Sequence, residues 1–186
     1  MKTKKLTRYM IKKWRRMKPE IRFEFSGNIP DILADVFLSH FSCYAALLFD
    51  EVWPEWRSYK LIIISLRSVE SEQIQQLNTQ YRNISEPTDV LTFPFYEIDG
   101  VFAPERLYSP LLLGDVIFCP QIVMANAESH HVQFVSELTL IMFHALLHLL
   151  AWDHDTPERE KRMWNVQERF QDLFLKNMSN KLYNKR

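Results

Sequence analysis

Residues 143–154 read FHALLHLLAWDH and form the most informative stretch of this sequence. His144 and His148 lie four residues apart in a leucine-rich, helix-forming segment, so both side chains project from one helix face about one turn apart. His154 follows six residues after His148, past the expected helix end, where the chain can turn back. This spacing predicts that three imidazoles meet at one metal ion.

Three imidazoles favour a catalytic metal over a structural one. Three nitrogen ligands around Zn²⁺ leave a fourth tetrahedral position for water, and the ion lowers the pKa of that water toward neutrality. The alternative is that these histidines are ordinary core or surface residues. Half of the chain's six histidines fall in this segment, two of them among leucines where unpaired polar rings are costly, which favours the metal site.

Zinc peptidases share this histidine spacing but carry a catalytic glutamate directly after the first histidine. Here that position is Ala145, so the general base of the peptidase mechanism is missing. Phosphodiester cleavage remains open, because a metal-activated water and a cationic clamp can carry much of that work. A peptidase or other hydrolase that recruits Asp153 or Glu137 as its base stays an alternative.

The rest of the chain is predicted to fold as a single α+β domain. About four strands in a small, mostly antiparallel or mixed sheet pack against about five helices, one of them a zincin-like metal helix. Thr156 followed by Pro157 is typical of a helix start. Prolines and charges predict a loop over 96–110. The expected strands are 21–25, 59–66, 89–95 and 112–118, and the expected helices are 31–49, 71–82, 121–129, 134–150 and 157–176.

Composition excludes several classes of protein. The 186 residues suit one domain, and a hydrophobic share of 47% is too high for a disordered chain. Neither a P-loop nor a dinucleotide-binding glycine motif occurs, and the apolar stretches are too short to span a bilayer. No apolar signal core is found at the N-terminus. Cys43 and Cys119 are expected to be buried free thiols, which predicts a cytoplasmic protein.

Charge is distributed unevenly although the formal net charge is zero. Residues 1–18 carry nine basic residues and residues 176–186 carry four, with no acid in either segment. We therefore divide the chain into a basic extension (1–20), a metallohydrolase domain (21–176) and a basic tail (177–186). The extension is expected to form an amphipathic helix over 3–17 that meets RNA, a membrane surface or the domain. Basic ends suit a polyanion, although they also solubilise a chain.

With these motifs in view, the chain resembles the YbeY family of single-strand-specific endoribonucleases. The family motif H-G-x-L-H-L-x-G-Y-D-H is similar to residues 144–154, and Glu137 and Gln167 match residue types that the family tends to carry. The similarity covers roughly residues 60–170. Two further motifs match, LNTQYR followed by PTDVLTFPF at 77–82 and 87–95, and LGDVI at 113–117.

The resemblance implies a metal-dependent endoribonuclease of ribosomal RNA maturation, with the small ribosomal subunit as a partner. It implies one zinc ion bound by the three histidines, and it places Arg82 at the scissile phosphate. A guanidinium suits that role because it offers a bidentate fork to phosphate oxygens. Asp89 and Asp115 are expected to orient a histidine or to cap turns, and we place both outside the active site.

Three residues depart from the family motif. Ala145 and Ala151 replace glycines, and Trp152 replaces a tyrosine. A glycine near a helix end often has a left-handed backbone, which costs alanine roughly 1 kcal/mol and could shift His154. Ala145 is expected to narrow the space for substrate beside the first ligand.

Our hypothesis from sequence is that a zinc-held water attacks a phosphodiester in single-stranded RNA while Arg82 neutralises the phosphate. Asp153 is either a proton acceptor or a partner of a metal ligand, and the sequence does not decide between these. The alternative is a non-catalytic ribosome-associated factor with a structural zinc, in which the basic ends bind RNA.

Overall fold

The computed structural model describes residues 19–28, 31–104 and 110–183. The predicted amphipathic helix over 3–17 lies outside these residues. Within them, the chain forms a four-stranded sheet, a short hairpin and five α-helices, in agreement with the predicted α+β class. The strands are β1 (Glu20–Ser26), β2 (Leu61–Ser68), β3 (Val90–Pro94), β4 (Glu97–Ile98), β5 (Val101–Phe102) and β6 (Leu111–Phe118).

The helices come before, between and after the strands. A short 3₁₀ helix, Pro54–Ser58, follows the first of them. The five α-helices are α1 (Asp31–Val52), α2 (Ser71–Arg82), α3 (Pro120–Ser129), α4 (Phe134–Leu149) and α5 (Pro157–Tyr183).

The main sheet is mixed, with strand order β1-β2-β6-β3. The β1–β2 and β2–β6 pairs are parallel, and the β3–β6 pair is antiparallel. Strand β2 is central and mostly buried, which explains its continuous run of β-branched residues. Strand β3 lies at an edge of the sheet, where a proline is tolerated because no further strand needs a hydrogen bond from its backbone nitrogen.

Gly114 in β6 lets helix α4 pack closely on the sheet. Its φ of +156° is rare for residues with a side chain. A Cβ atom at this position would lie 2.4 Å from the backbone oxygen of Phe93 and 2.6 Å from Cδ2 of Leu149. The glycine is therefore required where strand β3 and the last turn of α4 meet.

Helix α4 is the centre of the core. Ten of its sixteen residues are buried, as its apolar sequence predicts. The ring of Phe143 lies 4.8 Å from that of Phe41 in α1 and 5.8 Å from that of Phe170 in α5. Aromatic contacts of this kind hold α1 and α5 against α4.

Several expectations need correction or extension. The predicted loop over 96–110 contains the hairpin of β4 and β5, and the last helix continues past residue 176 to Tyr183. Cys119 is buried and free, but Cys43 is free and exposed, so the prediction for Cys43 was wrong. Thr156 does cap α5, because its Oγ1 accepts a hydrogen bond from the backbone N–H of Arg159 at 3.3 Å.

Among the described helices, none alone is long and apolar enough to cross a membrane. Helices α3 and α4 together have the length and apolar composition of a membrane span, but the two are bent by 114° relative to each other.

Candidate metal centre

The structure brings His144, His148 and His154 into one cluster. One ring nitrogen from each lies within 4.8 Å of the others. The Nε2 atoms of His144 and His148 are 3.0 Å apart, and the ring of His154 lies 5.7 Å and 5.3 Å from those of His144 and His148. The cluster joins the last two turns of α4 to the segment that follows it.

A left-handed turn at Ala151 returns the chain toward the helix. The Ala151 N–H donates to the His148 carbonyl at 2.9 Å, and the Trp152 N–H donates to the Leu147 carbonyl at 3.0 Å. These two bonds form a Schellman motif with Ala151, at φ +55°, in the position usually held by glycine. The left-handed backbone inferred from the family glycine is thus present, and His154 still reaches the cluster.

Gln167 in α5 orients the first histidine. Its side chain is 2% exposed, and its Oε1 lies 3.1 Å from Nδ1 of His144. An amide oxygen only accepts hydrogen bonds, so Nδ1 of His144 carries the proton. The unprotonated Nε2 of His144 then points toward His148 with its lone pair available.

Burial favours the neutral form of His144 and His148, which is the form that binds metals. Burial, together with the neighbouring His144 and His154, lowers the pKa of His148 to about 4. Burial also lowers the pKa of His144, although the hydrogen bond that this ring donates to Gln167 opposes the shift. Three imidazoles with converging nitrogens could hold a metal ion, because the neutral ring nitrogen of histidine is a common ligand of divalent metals.

His144 and His148 line a cleft of about 240 Å³ whose walls come from α4, α5, the segment around β3, α3 and the end of α2. Arg82, the last residue of α2, lines this cleft together with His144 and His148. Its positive charge lowers the pKa of both histidines, which shows that the three groups are within electrostatic reach. No carboxylate in the described part of the chain forms an ion pair with Arg82, so its guanidinium is available to an anion.

Some of the residues that sequence analysis discussed near the site line the cleft, and others do not. Asp89, which we had placed outside, lines the cleft, whereas Asp115 does not. Asp153 is exposed and accepts a hydrogen bond from the His154 backbone N–H at 2.8 Å. Ala145 is fully buried in the core and does not line the cleft, so the expected narrowing of the substrate space was wrong.

Glu137, which the sequence analysis named as an alternative base and as a family match, lines the cleft. It lies seven residues before His144, two turns away on the same face of α4. Trp164 was missed, although it lies one turn before Gln167 on α5, and helical spacing could have found it. No local signal links Asn126 and His130 to the histidines, although both line the same cleft.

The fold and the site together define an α+β protein with a three-histidine cleft suited to a hydrolytic metal ion. A family model described as "Endoribonuclease YbeY" matches residues 34–174. The chain belongs to the YbeY family, as the sequence motifs predicted. The predicted class of enzyme, a nuclease acting on phosphodiester bonds, agrees with that description.

Curated relatives support the assignment. Endoribonuclease YbeY of Acetivibrio thermocellus is 36% identical over 111 residues, covering 56% of this chain and 68% of the relative. The protein of the same name from Alcanivorax borkumensis is 32% identical over 136 residues, covering 73% and 71%. The one from Synechococcus elongatus is 42% identical over 110 residues, covering 58% and 60%.

A solved structure shows the same fold. The solution structure of a Thermotoga maritima protein superposes with a TM-score of 0.57 at 23% identity. The superposed region covers 87% of this chain and 93% of the Thermotoga maritima chain.

Proposed function

We propose that this chain is a zinc-dependent endoribonuclease that cuts single-stranded RNA. The observation that carries the proposal is the convergence of three histidine nitrogens at a cleft that His144 and His148 line together with Arg82, which forms no ion pair with the described carboxylates. The YbeY relatives, whose name is endoribonuclease, support RNA as the substrate class.

His144, His148 and His154 are the residues that would hold the ion. Zinc suits them because imidazole nitrogen is among its common ligands and three protein ligands are typical of catalytic sites. When bound there, zinc supplies Lewis acidity and lowers the pKa of a water to near neutrality. Gln167 fixes the orientation of His144, so the metal-facing nitrogen is set before any ion arrives.

Arg82 is proposed to bind the scissile phosphate. Its guanidinium lines the same cleft as two of the metal ligands, and it is the last residue of α2, just before the left-handed Asn83 at φ +58°. A fork of N–H donors can bind two phosphate oxygens, where negative charge grows as the bond to the leaving oxygen breaks. Arg82 would thus act on substrate without contacting the metal.

Ribosomal RNA, with the small ribosomal subunit as the place of action, is the proposed natural substrate. This would place the protein in the cytoplasm, where ribosomes are assembled. The basic segments 1–18 and 176–186 would add phosphate contacts outside the cleft, because Lys and Arg displace counterions from nucleic acid. Binding to ribosomal RNA should therefore weaken steeply as salt is raised.

The decisive experiment compares cleavage of end-labelled single-stranded RNA by the wild-type protein and by His148→Ala. His131→Asn is the matched control, because His131 is exposed, does not line the cleft, and has a positive φ of 57° that asparagine tolerates. We expect the wild-type protein and the control to cleave the RNA and His148→Ala not to cleave it. A chelator should abolish cleavage by the wild-type protein, and added zinc should restore it. Equal cleavage by all three proteins would contradict the proposal and indicate a contaminating nuclease.

Arg82→Ala tests the second role. This variant should retain the wild-type metal content while cleavage falls, and Arg82→Lys should recover only part of the activity because an ammonium lacks the planar fork. Loss of metal together with Arg82 would contradict its proposed role at the phosphate.

A further inference from the structure

The cleft continues beyond the histidines along helix α4. Glu137 and Ile141 lie on the same face of the helix as His144 and His148, at spacings of three and four residues. Seven residues separate Glu137 from His144, roughly 10 Å along the helix axis. Arg82 lines the same cleft, so a phosphate at Arg82 and a group bound at Glu137 would share one cavity.

We call the far part of the cleft the carboxylate end, formed by Asp89, Asn126, His130 and Glu137. The Glu137 carboxylate is only 5% exposed and its Oε2 lies 3.1 Å from Nδ1 of His130. The Asn126 side-chain amide donates to Oδ2 of Asp89 at 3.4 Å. All four residues line the same cavity as the metal ligands.

The charges of the cleft differ between its two ends. Arg82 is the one Lys or Arg among the described residues that line it. A second phosphate at the carboxylate end would meet two acids without a paired cation, which is unfavourable in a partly buried site. An uncharged group that donates hydrogen bonds suits this end, because the bond to His130 leaves acceptor capacity on the Glu137 carboxylate.

A flat apolar surface faces the same space. Trp164 is 44% exposed and lines the cleft from α5, one turn before Gln167. Leu140 and Ile141 of α4 also line it. A half-exposed indole at the wall of a cleft is the kind of surface on which unpaired bases stack.

We propose that the carboxylate end is a subsite for one unpaired nucleobase next to the scissile phosphate. The base stacks on Trp164 and donates its exocyclic amino group to Glu137. Adenine, cytosine and guanine carry such a group, whereas uracil presents a carbonyl oxygen at the position of the cytosine amino group. A carboxylate cannot bond to that oxygen, so the subsite selects against uridine at this position. A paired base has its amino group engaged, so the subsite also favours single strands. The inference rests on the proposed ribonuclease function.

The first test uses end-labelled oligouridine substrates that carry one adenosine, cytidine or guanosine at a central position. We expect cleavage next to the substituted nucleotide to exceed cleavage of plain oligouridine by about 10-fold, because the carboxylate accepts a base-edge hydrogen bond. Equal cleavage at every position of all substrates would overturn the subsite.

Two substitutions separate the stacking and the hydrogen-bonding parts. Trp164→Ala should weaken RNA binding by roughly 10-fold, while Trp164→Phe should keep most of it. Leu173→Ala is the matched control, since Leu173 is 40% exposed on the same helix and does not line the cleft. Unchanged binding in Trp164→Ala would overturn the stacking part.

Glu137→Gln tests selectivity with little change of shape. A glutamine can donate to a uracil oxygen and accepts more weakly than a carboxylate, so the preference against uridine should fall by about 10-fold. An equal loss on all four bases would show a structural role and would overturn the inference.

Binding to metal-free protein separates this inference from the proposed function. Anisotropy with non-hydrolysed, dye-labelled oligonucleotides reports base preference whether or not the protein cuts RNA. One outcome is base-selective binding that depends on Trp164 while the zinc form does not cleave RNA. That outcome would support the subsite and contradict the proposed nuclease function. Cleavage without base preference in either assay would contradict the subsite alone.

Discussion

The side-chain oxygen of Gln167 lies 3.1 Å from Nδ1 of His144, and this contact joins α5 to α4, the helix that carries His144 and His148. The two residues are 23 positions apart in sequence. A hydrogen bond to the outer nitrogen of a metal-binding histidine sets its tautomer and its direction. Gln167 is thus part of the candidate metal site although it offers no ligand to the ion.

Gln167→Leu is expected to lower zinc affinity by roughly 10–100-fold, because His144 loses the partner that fixes its ring. Competition with a chromophoric chelator measures this affinity. Gln171→Leu is the matched control, because Gln171 lies one turn further on the same helix and donates to the backbone of Ser136 at 3.0 Å instead. Equal losses of affinity in both variants would point to a general disturbance of α5.

Removal of metal is expected to lower the melting temperature of the wild-type protein. An ion that binds only the folded chain stabilises it by about 2.7 kcal/mol when present at 100 times its dissociation constant. Thermal unfolding with and without a chelator, repeated on His148→Ala, measures the effect. A chelator effect that persists in His148→Ala would place the bound metal elsewhere.

Ala151→Gly is expected to raise the free energy of unfolding by about 0.5–1 kcal/mol. Ala151 has a φ of +55° in the Schellman motif after α4, and glycine takes this conformation without the steric cost of a Cβ atom. Urea unfolding of the metal-free protein measures the change. Ala151→Val should be less stable than wild type, and greater stability of the valine variant would contradict the strain at this position.

Asp50→Ala is expected to cost about 1–3 kcal/mol of stability, because it leaves a buried donor unsatisfied. The Trp56 indole N–H donates to Oδ1 of Asp50 at 2.8 Å, and Trp56 is 2% exposed. The Arg57 Nε–H donates to the same oxygen at 2.7 Å. Denaturant unfolding measures the cost, and Asp155→Ala, which breaks an exposed pair with Arg159, is the control that should change little.

The stabilisation by Asp50 should also depend on pH. Burial alone would raise the pKa of this carboxyl, but the hydrogen bonds from Arg57 and Trp56 outweigh burial and lower the pKa below its ordinary value of 3.8. The folded chain therefore binds this proton less readily than the unfolded chain. The stability contributed by Asp50 is present above pH 3.8 and is lost as the pH falls through the folded pKa. The difference between wild type and Asp50→Asn should shrink over that acid range.

Much of the local structure could be predicted from sequence. The helix over 71–82 has the expected bounds, and the central strand and the start of α5 lie within two residues of prediction. Periodicity, β-branched runs and capping residues determine these features within a few neighbouring residues. The hairpin of β4 and β5 was missed because each of its strands has only two residues, too few for an alternating pattern.

Conformation at single residues was partly predictable. The left-handed turn at Ala151 was inferred from the glycine in the family motif, and the bond pattern of the turn agrees with it. The direction of the Ala145 side chain was predicted wrongly, because we expected it to face the substrate space. This residue packs into the core, and which face of a uniformly apolar helix meets the core depends on the partners that surround it.

The pairing of His144 and His148 follows from sequence alone, because a spacing of four residues places them on one face of any helix. The distant groups that share their cleft are set by tertiary packing. Arg82 comes from α2, Gln167 and Trp164 come from α5, and Glu137 faces the exposed His130. The reason is physical: neighbouring residues fix local conformation, whereas the approach of α2 and α5 to α4 depends on sheet order and core packing along the whole chain.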